Sequence, residues 1–468
     1  VNSLFRRPEF FAWPLLLTVS LSGIGCDQPE GPEFRLNRVE LLKQERMVLP
    51  TGESFQAGQL KELQLALIVL FGTPNEPRFP GWASKDSQPV SLDSDHPPVQ
   101  GMDQGLGEQG MTFVAARLDR AYFQPKLLRQ AAGVVSSDEQ GIPSGLYREH
   151  CAQCHGLAGD GTGSTAGFLD PYPRDFRLGK FKFKSTPLRQ APTHQDMLDL
   201  LRRGIPGTAM PSFRNLPEEH LEALADYVRY LTVRGQFERY LIGELARLDG
   251  RPLLVRSVDA RIRAQLAEGN PDSVQKLVAT LSDSQLQAIA REAIEIVGED
   301  LLVGLIERWY LAEQRVTPVP EPPPAFAEGP EGLAEWVDAG FTLFLEKGNC
   351  GQCHVVGMLK SNSLDNFDDW TSDWVKTLGV DPTQQSSFRD FVKAGALPPR
   401  TVRPRILDLG VMRGGDGPQQ IYRRIANGIE GTPMPSAPTL SSEEIWALVA
   451  YVQSLSGAGS QTGSQTGN

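Results

Sequence analysis

Apolar positions recur at helical spacing along most of the chain. Between 59 and 71, Leu60, Leu63, Leu67 and Leu70 lie three or four apart with Ile68 beside them, which predicts one helix. Residues 216–231 read as an amphipathic helix, and Tyr147 belongs to a shorter one upstream. Leu286, Ile289, Ala290, Ala293 and Val297 share a face behind the cap candidates Ser282 and Asp283. Leu301, Leu305, Ile306 and Trp309 mark the next helix, and Leu333, Trp336, Phe341 and Phe344 a later one. Period two appears only over 180–184, where Lys180, Lys182 and Lys184 alternate with Phe181 and Phe183. That alternation predicts solvated lysines over buried phenylalanines.

The pattern is broken in four places. Residues 72–110 are rich in Pro and Gly and predict loops, with His96 as a solvated loop residue. Residues 318–330, containing Pro320, Pro322, Pro323 and Pro324, predict an extended linker separating two bodies. The stretch 355–400 carries Trp370 and Trp374 four apart among acidic residues, on one helical face that serves core packing or partner docking. The tail repeats Ser-Gln-Thr-Gly and predicts disorder.

At 468 residues the chain holds about three domains by length. Its net charge of -11 argues against a nucleic-acid partner, which is bound through clustered positive charge. Near the start, Arg6 and Arg7 precede an apolar run over 10–21, interrupted by Pro14, and small residues then lead to Cys26. This order predicts an export signal over 1–26. The residues before Cys26 resemble a bacterial lipoprotein cleavage site, which implies a lipid on that cysteine, although Gly23 stands where that family prefers a branched aliphatic.

Chemistry enters through a stretch that occurs twice. Cys151-Ala152-Gln153-Cys154-His155 is matched by Cys350-Gly351-Gln352-Cys353-His354. Alone, such a motif fits a zinc half-site, a redox dithiol or the attachment site of a c-type haem. The surroundings favour haem, because the repeat continues downstream. Gly204-Ile205-Pro206-Gly207-Thr208-Ala209-Met210-Pro211-Ser212 aligns with Gly428-Ile429-Glu430-Gly431-Thr432-Pro433-Met434-Pro435-Ser436. Tyr227 and Tyr451 follow at equal distances, and Pro173-Arg174 precedes Gly179 as Pro404-Arg405 precedes Gly410. One fold used twice explains these offsets. The five cysteines divide into two pairs and Cys26, so none remains for a disulfide.

Each site is therefore expected to bind a haem c through its cysteine pair, with His155 and His354 as proximal iron ligands. Their second ring nitrogens should donate to carbonyls near 171–173 and near Pro404. Met210 and Met434 are the expected distal ligands, since a thioether stabilises ferrous iron and fills the sixth position. After His354 no further histidine occurs, and of Met358, Met412 and Met434 only the last has the repeated context. In the first unit His150, His194 and His220 are read as surface residues. The glycines over 156–163 fit a tight turn passing close to a porphyrin. The basic residues around Arg174 and Lys182 are candidates for pairing with haem propionates or for steering an acidic partner.

These residues resemble the class I cytochrome c family, over roughly half of the chain. The resemblance implies a mainly all-α fold: two cytochrome c-like helical domains joined by a helical spacer and a Pro-rich linker. It also implies that Tyr147 crosses near Tyr227. The expected divisions are a signal over 1–26, an extension over 27–135, a first domain over 136–232, spacer and linker over 233–330, a second domain over 331–457 and a tail over 458–468. The implied function is a dihaem carrier of single electrons outside the cytoplasm, on the periplasmic side. It would be tethered to the membrane by lipid and serve a donor complex and a terminal oxidase or reductase, without a small-molecule substrate. A dihaem peroxidase, or a cytochrome subunit of a larger oxidase or dehydrogenase complex, is the alternative.

Overall fold

The computed structural model describes residues 32–49, 53–79, 123–268, 273–329, 331–354 and 367–461. The expectations for the export signal, Cys26, His96, Met358 and the end of the tail lie outside them. The described chain is mainly helical, with one two-stranded hairpin pairing Ser136–Ser137 with Pro143–Ser144. No described helix is long and apolar enough to cross a membrane.

The centre of the larger core is the helix Ala57–Phe71, predicted from its leucine spacing and completed by Leu65 and Phe71, both fully buried. Gly72 ends it at φ 71°, a backbone conformation that costs glycine little. Against it packs the helix Glu218–Ala246. The sequence reading ended that helix at 231, but Val233, Phe237, Leu241 and Ile242 continue its buried face with no exposure. The buried pair Arg234–Glu238, at 3.0 Å, lies in this continuation. Glu238 also accepts from the Asn37 amide at 2.8 Å, and Arg234 lies 4.3 Å from the centre of the Phe34 ring. The extension over 32–49 is thus fastened to the very turn where the first domain was expected to end.

Ser282 caps the helix Asp283–Val297 through a capping box with Gln285, and Ile289 and Ala293 bury fully on the predicted face. The second unit builds a smaller core between the helices Ala334–Leu345 and Ser442–Gln461. They approach closely at Gly340, where a side chain would collide with the Ala447 carbonyl, and Phe344 meets Tyr451 at 5.2 Å.

Trp370 and Trp374 pack inward. Trp374 stacks on Phe391 at 4.3 Å, and Val39 of the helix Arg38–Val48 completes their cluster. Lys43–Asp373 and Arg46–Asp390, each at 2.7 Å, tie the same two segments. The Pro-rich stretch also joins rather than separates. Its neighbour Thr317 donates its amide to the Ser185 carbonyl at 2.9 Å and its hydroxyl to Asn427 at 2.7 Å, bridging the two units.

Candidate haem sites

In the first unit the helices Leu146–His150 and Ala152–His155 carry the cysteine pair. The Tyr147 hydroxyl donates to the Gly156 carbonyl at 2.9 Å, and its ring meets Tyr227 at 5.0 Å, as expected of the crossing. The glycine-rich loop folds back on this turn. The amides of Gly161 and Gly163 donate to the carbonyls of His155 and Cys154, and a Cβ at Gly163 would collide with the carbonyls of Ala152 and Gln153. The close approach made by Gly163 is therefore to the cysteine turn itself.

The His155 Nδ1 lies 3.1 Å from the Arg174 carbonyl, and the His354 Nδ1 lies 3.0 Å from the Arg405 carbonyl. A carbonyl can only accept, so each Nδ1 carries a proton and each Nε2 is the nitrogen turned towards a ligand. Desolvation pushes His155 down to about 4, which keeps the ring neutral. Arg174 and Arg405 each follow the repeated proline, and each is followed by a short 3-10 turn ended by a left-handed glycine, Gly179 or Gly410. The local fold accordingly delivers the carbonyl to the same place twice.

The methionine loops agree bond for bond. Ile205 and Ile429 donate their amides to the carbonyls of Met210 and Met434 at 3.1 and 3.2 Å. Thr208 and Thr432 donate their hydroxyls to the carbonyls of Ile205 and Ile429, both at 2.7 Å, and accept from the amides of Met210 and Met434. Gly204 and Gly428, at φ 68° and 72°, leave no room for a Cβ against the backbone that follows each methionine. Both methionines are half-buried, whereas Met412 sits in the apolar core of the second unit.

Of the other histidines, His194 engages both ring nitrogens, with Glu222 and with Arg229. His150 lies beside the Phe213 ring at 6.1 Å and is half-buried, as is His220.

None of the four cysteines of the two motifs forms a disulfide, which fits haem attachment, and burial pushes the Cys151 thiol up to about 12. A cluster of cations supplies a second test of fit. Lys182 is pushed down to about 8 and Arg424 to about 10, each chiefly by desolvation and next by a neighbouring cation, Arg174 and Arg203 respectively. Arg413 Nε and Arg424 Nη1 are buried without a hydrogen-bond partner. Orphaned donors among crowded cations fit a group that brings carboxylates, as haem does with its propionates.

This cluster overturns the expectation for 180–184. Those residues form no strand, and the Lys184 side chain is only 3 % exposed, ion-paired with Glu430 of the second methionine loop. Phe181 meets the Trp309 ring edge-on at 5.5 Å. The lysines are covered because the second unit docks on them. The pair Lys184–Glu430 was missed in the sequence, although the one charged difference between the two methionine loops, Glu430 against Pro206, marks it.

A family model described as cytochrome c oxidase, cbb3-type, subunit III matches residues 142–228 and 336–452. The two matched stretches cover less than half of the chain, and each contains one of the two cysteine motifs. Among solved structures, a chain of the reducing HAO-like protein complex of Kuenenia stuttgartiensis is similar at 21% identity and a TM-score of 0.36, over 68% of this chain and 97% of that one. No curated protein matches.

Proposed function

We propose that the chain is a dihaem c-type cytochrome that passes single electrons between redox partners outside the cytoplasm. The observation that carries this reading is the duplication of the whole ligand frame: both histidine-to-carbonyl bonds and both methionine loops repeat within a few tenths of an ångström. Haem c, when bound, supplies an iron that takes up and releases one electron. Cys151 and Cys154 would hold one haem, and Cys350 and Cys353 the other. Through the Arg174 and Arg405 carbonyls, His155 and His354 keep a fixed tautomer and ring orientation. Met210 and Met434 would supply the second protein ligand at each site, which would leave neither open to an oxidant. Haem attachment outside the cytoplasm would require export, and lipidation of Cys26 would tether the protein to a membrane.

Carbon monoxide and hydrogen peroxide test this against a peroxidase. The carrier reading predicts that carbon monoxide leaves the visible spectrum of the reduced protein unchanged and that hydrogen peroxide leaves that of the oxidised protein unchanged. A peroxide-reactive site would reject it. The description of the matching family favours a second reading, a cytochrome subunit within a larger oxidase. Retention of the chain in a complex with oxidase activity after mild detergent extraction would support that one.

A further inference from the structure

Each unit presses its histidine anchor on the other unit's methionine loop. Arg405, whose carbonyl holds His354, places its Nη2 3.2 Å from where a Cβ of Gly207 would stand, and Arg413 reaches the Gly207 carbonyl at 3.4 Å. Arg174, whose carbonyl holds His155, ion-pairs with Asp369, and the Asp369 carboxylate fills the space that a Cβ at Gly431 would need. Gly207 and Gly431 are the same position of the repeat, as are Arg174 and Arg405. The seam is thus a pseudo-twofold contact in which the second half is made through an added carboxylate.

Asp369 opens the helix Asp369–Leu378 of the insertion, and its side chain is 9% exposed. Asp368, directly before it, caps that helix and accepts from the Arg400 amide at 3.0 Å, so Asp369 is free of capping duty. Trp370, directly after it, lies 5.7 Å from the Arg177 guanidinium of the first unit. The carboxylate is held from both sides against the seam.

We propose that Asp369 is a positioning residue for both iron sites: through Arg174 it holds the backbone that orients His155, and against Gly431 it holds the loop that carries Met434. This rests on the dihaem reading above. A negative charge at this point stabilises the ferric state at each site, and the Arg174 guanidinium opposes it at both.

The test is a potentiometric titration of the full-length holoprotein and of two variants, with the two haems distinguished by their hyperfine-shifted proton resonances. Asp369→Asn should raise both potentials, each reduction equilibrium moving about threefold to tenfold, where tenfold corresponds to about 59 mV for a one-electron couple. Arg174→Gln keeps the carbonyl that holds His155 and should lower both. A loss of packing alone would not reverse sign between the two variants. If the wild-type protein carries two haems and either variant moves one potential or none, the assignment of Asp369 is overturned while the carrier reading stands. A wild-type protein with a single haem overturns both. Should Asp369→Asn fail to fold, Arg174→Gln decides alone, by whether both potentials fall.

Discussion

The two repeat units share a backbone frame around a histidine and a methionine and differ in what surrounds it. In the first, Tyr147 and Cys151 belong to the same continuous core as Phe71 of the extension and Ile289 of the spacer. In the second, Phe344, Trp446 and Tyr451 form a separate, smaller cluster, and Cys353 is exposed. Behind the first histidine anchor, Asp175 and Arg177 form a buried pair at 3.0 Å, and His155 stacks on Phe176 at 4.6 Å. The corresponding positions behind the second anchor are Ile406, half-exposed, Leu407 and Asp408, so the acid of the first pair is replaced by an apolar residue. The geometry of the histidine and methionine segments is therefore set locally by the repeat, whereas the support beneath it comes from whatever each unit has been packed against.

That contrast can be broken most strongly at the thiols. Replacing Cys151 and Cys154 together by Ala, or Cys350 and Cys353 together, should each lower the haem content by half, read by haem absorbance per chain. Equal losses would show two independent sites, and loss of both haems from one double substitution would show that the sites assemble together.

Next in size is the buried pair. Asp175→Ala leaves the Arg177 charge uncompensated inside the first unit and should cost about 3 to 5 kcal/mol in denaturant unfolding. Ile406→Ala, at the matching place in the second unit, should stay within about 0.5 kcal/mol. Similar costs at both would mean that the units are supported alike.

A smaller effect is expected at the loop threonines. Thr208→Val and Thr432→Val each remove a hydroxyl that donates to one backbone group and accepts from another, for about 1 to 2 kcal/mol apiece in the same unfolding measurement. Because the two loops match, the two costs should match, unlike those at Asp175 and Ile406.

The repeated frame was legible in the sequence because its parts are short-range: two thiols and a histidine within five residues, then a loop whose Gly, Thr and Met recur in register. The helices 57–71 and 283–297 were legible through periodicity and a capping serine. What was not legible depends on contacts between distant residues. Val39 packs with Trp374, and Lys184 pairs with Glu430, across stretches with no shared pattern. The alternation at 180–184 misled for the same reason: it reports two faces, and not that a second unit covers the charged one. Asp369 likewise looks in the sequence like one of several acidic residues in an insertion, until the seam places it between Arg174 and Gly431.

The central claim is that a methionine sulfur caps each iron. Near-infrared magnetic circular dichroism of the oxidised protein measures it directly through the methionine-to-iron charge-transfer band. The account predicts two equivalents, of which Met210→Ala and Met434→Ala each remove one. A band that is missing from the wild-type protein, or that survives both substitutions at full intensity, would contradict it.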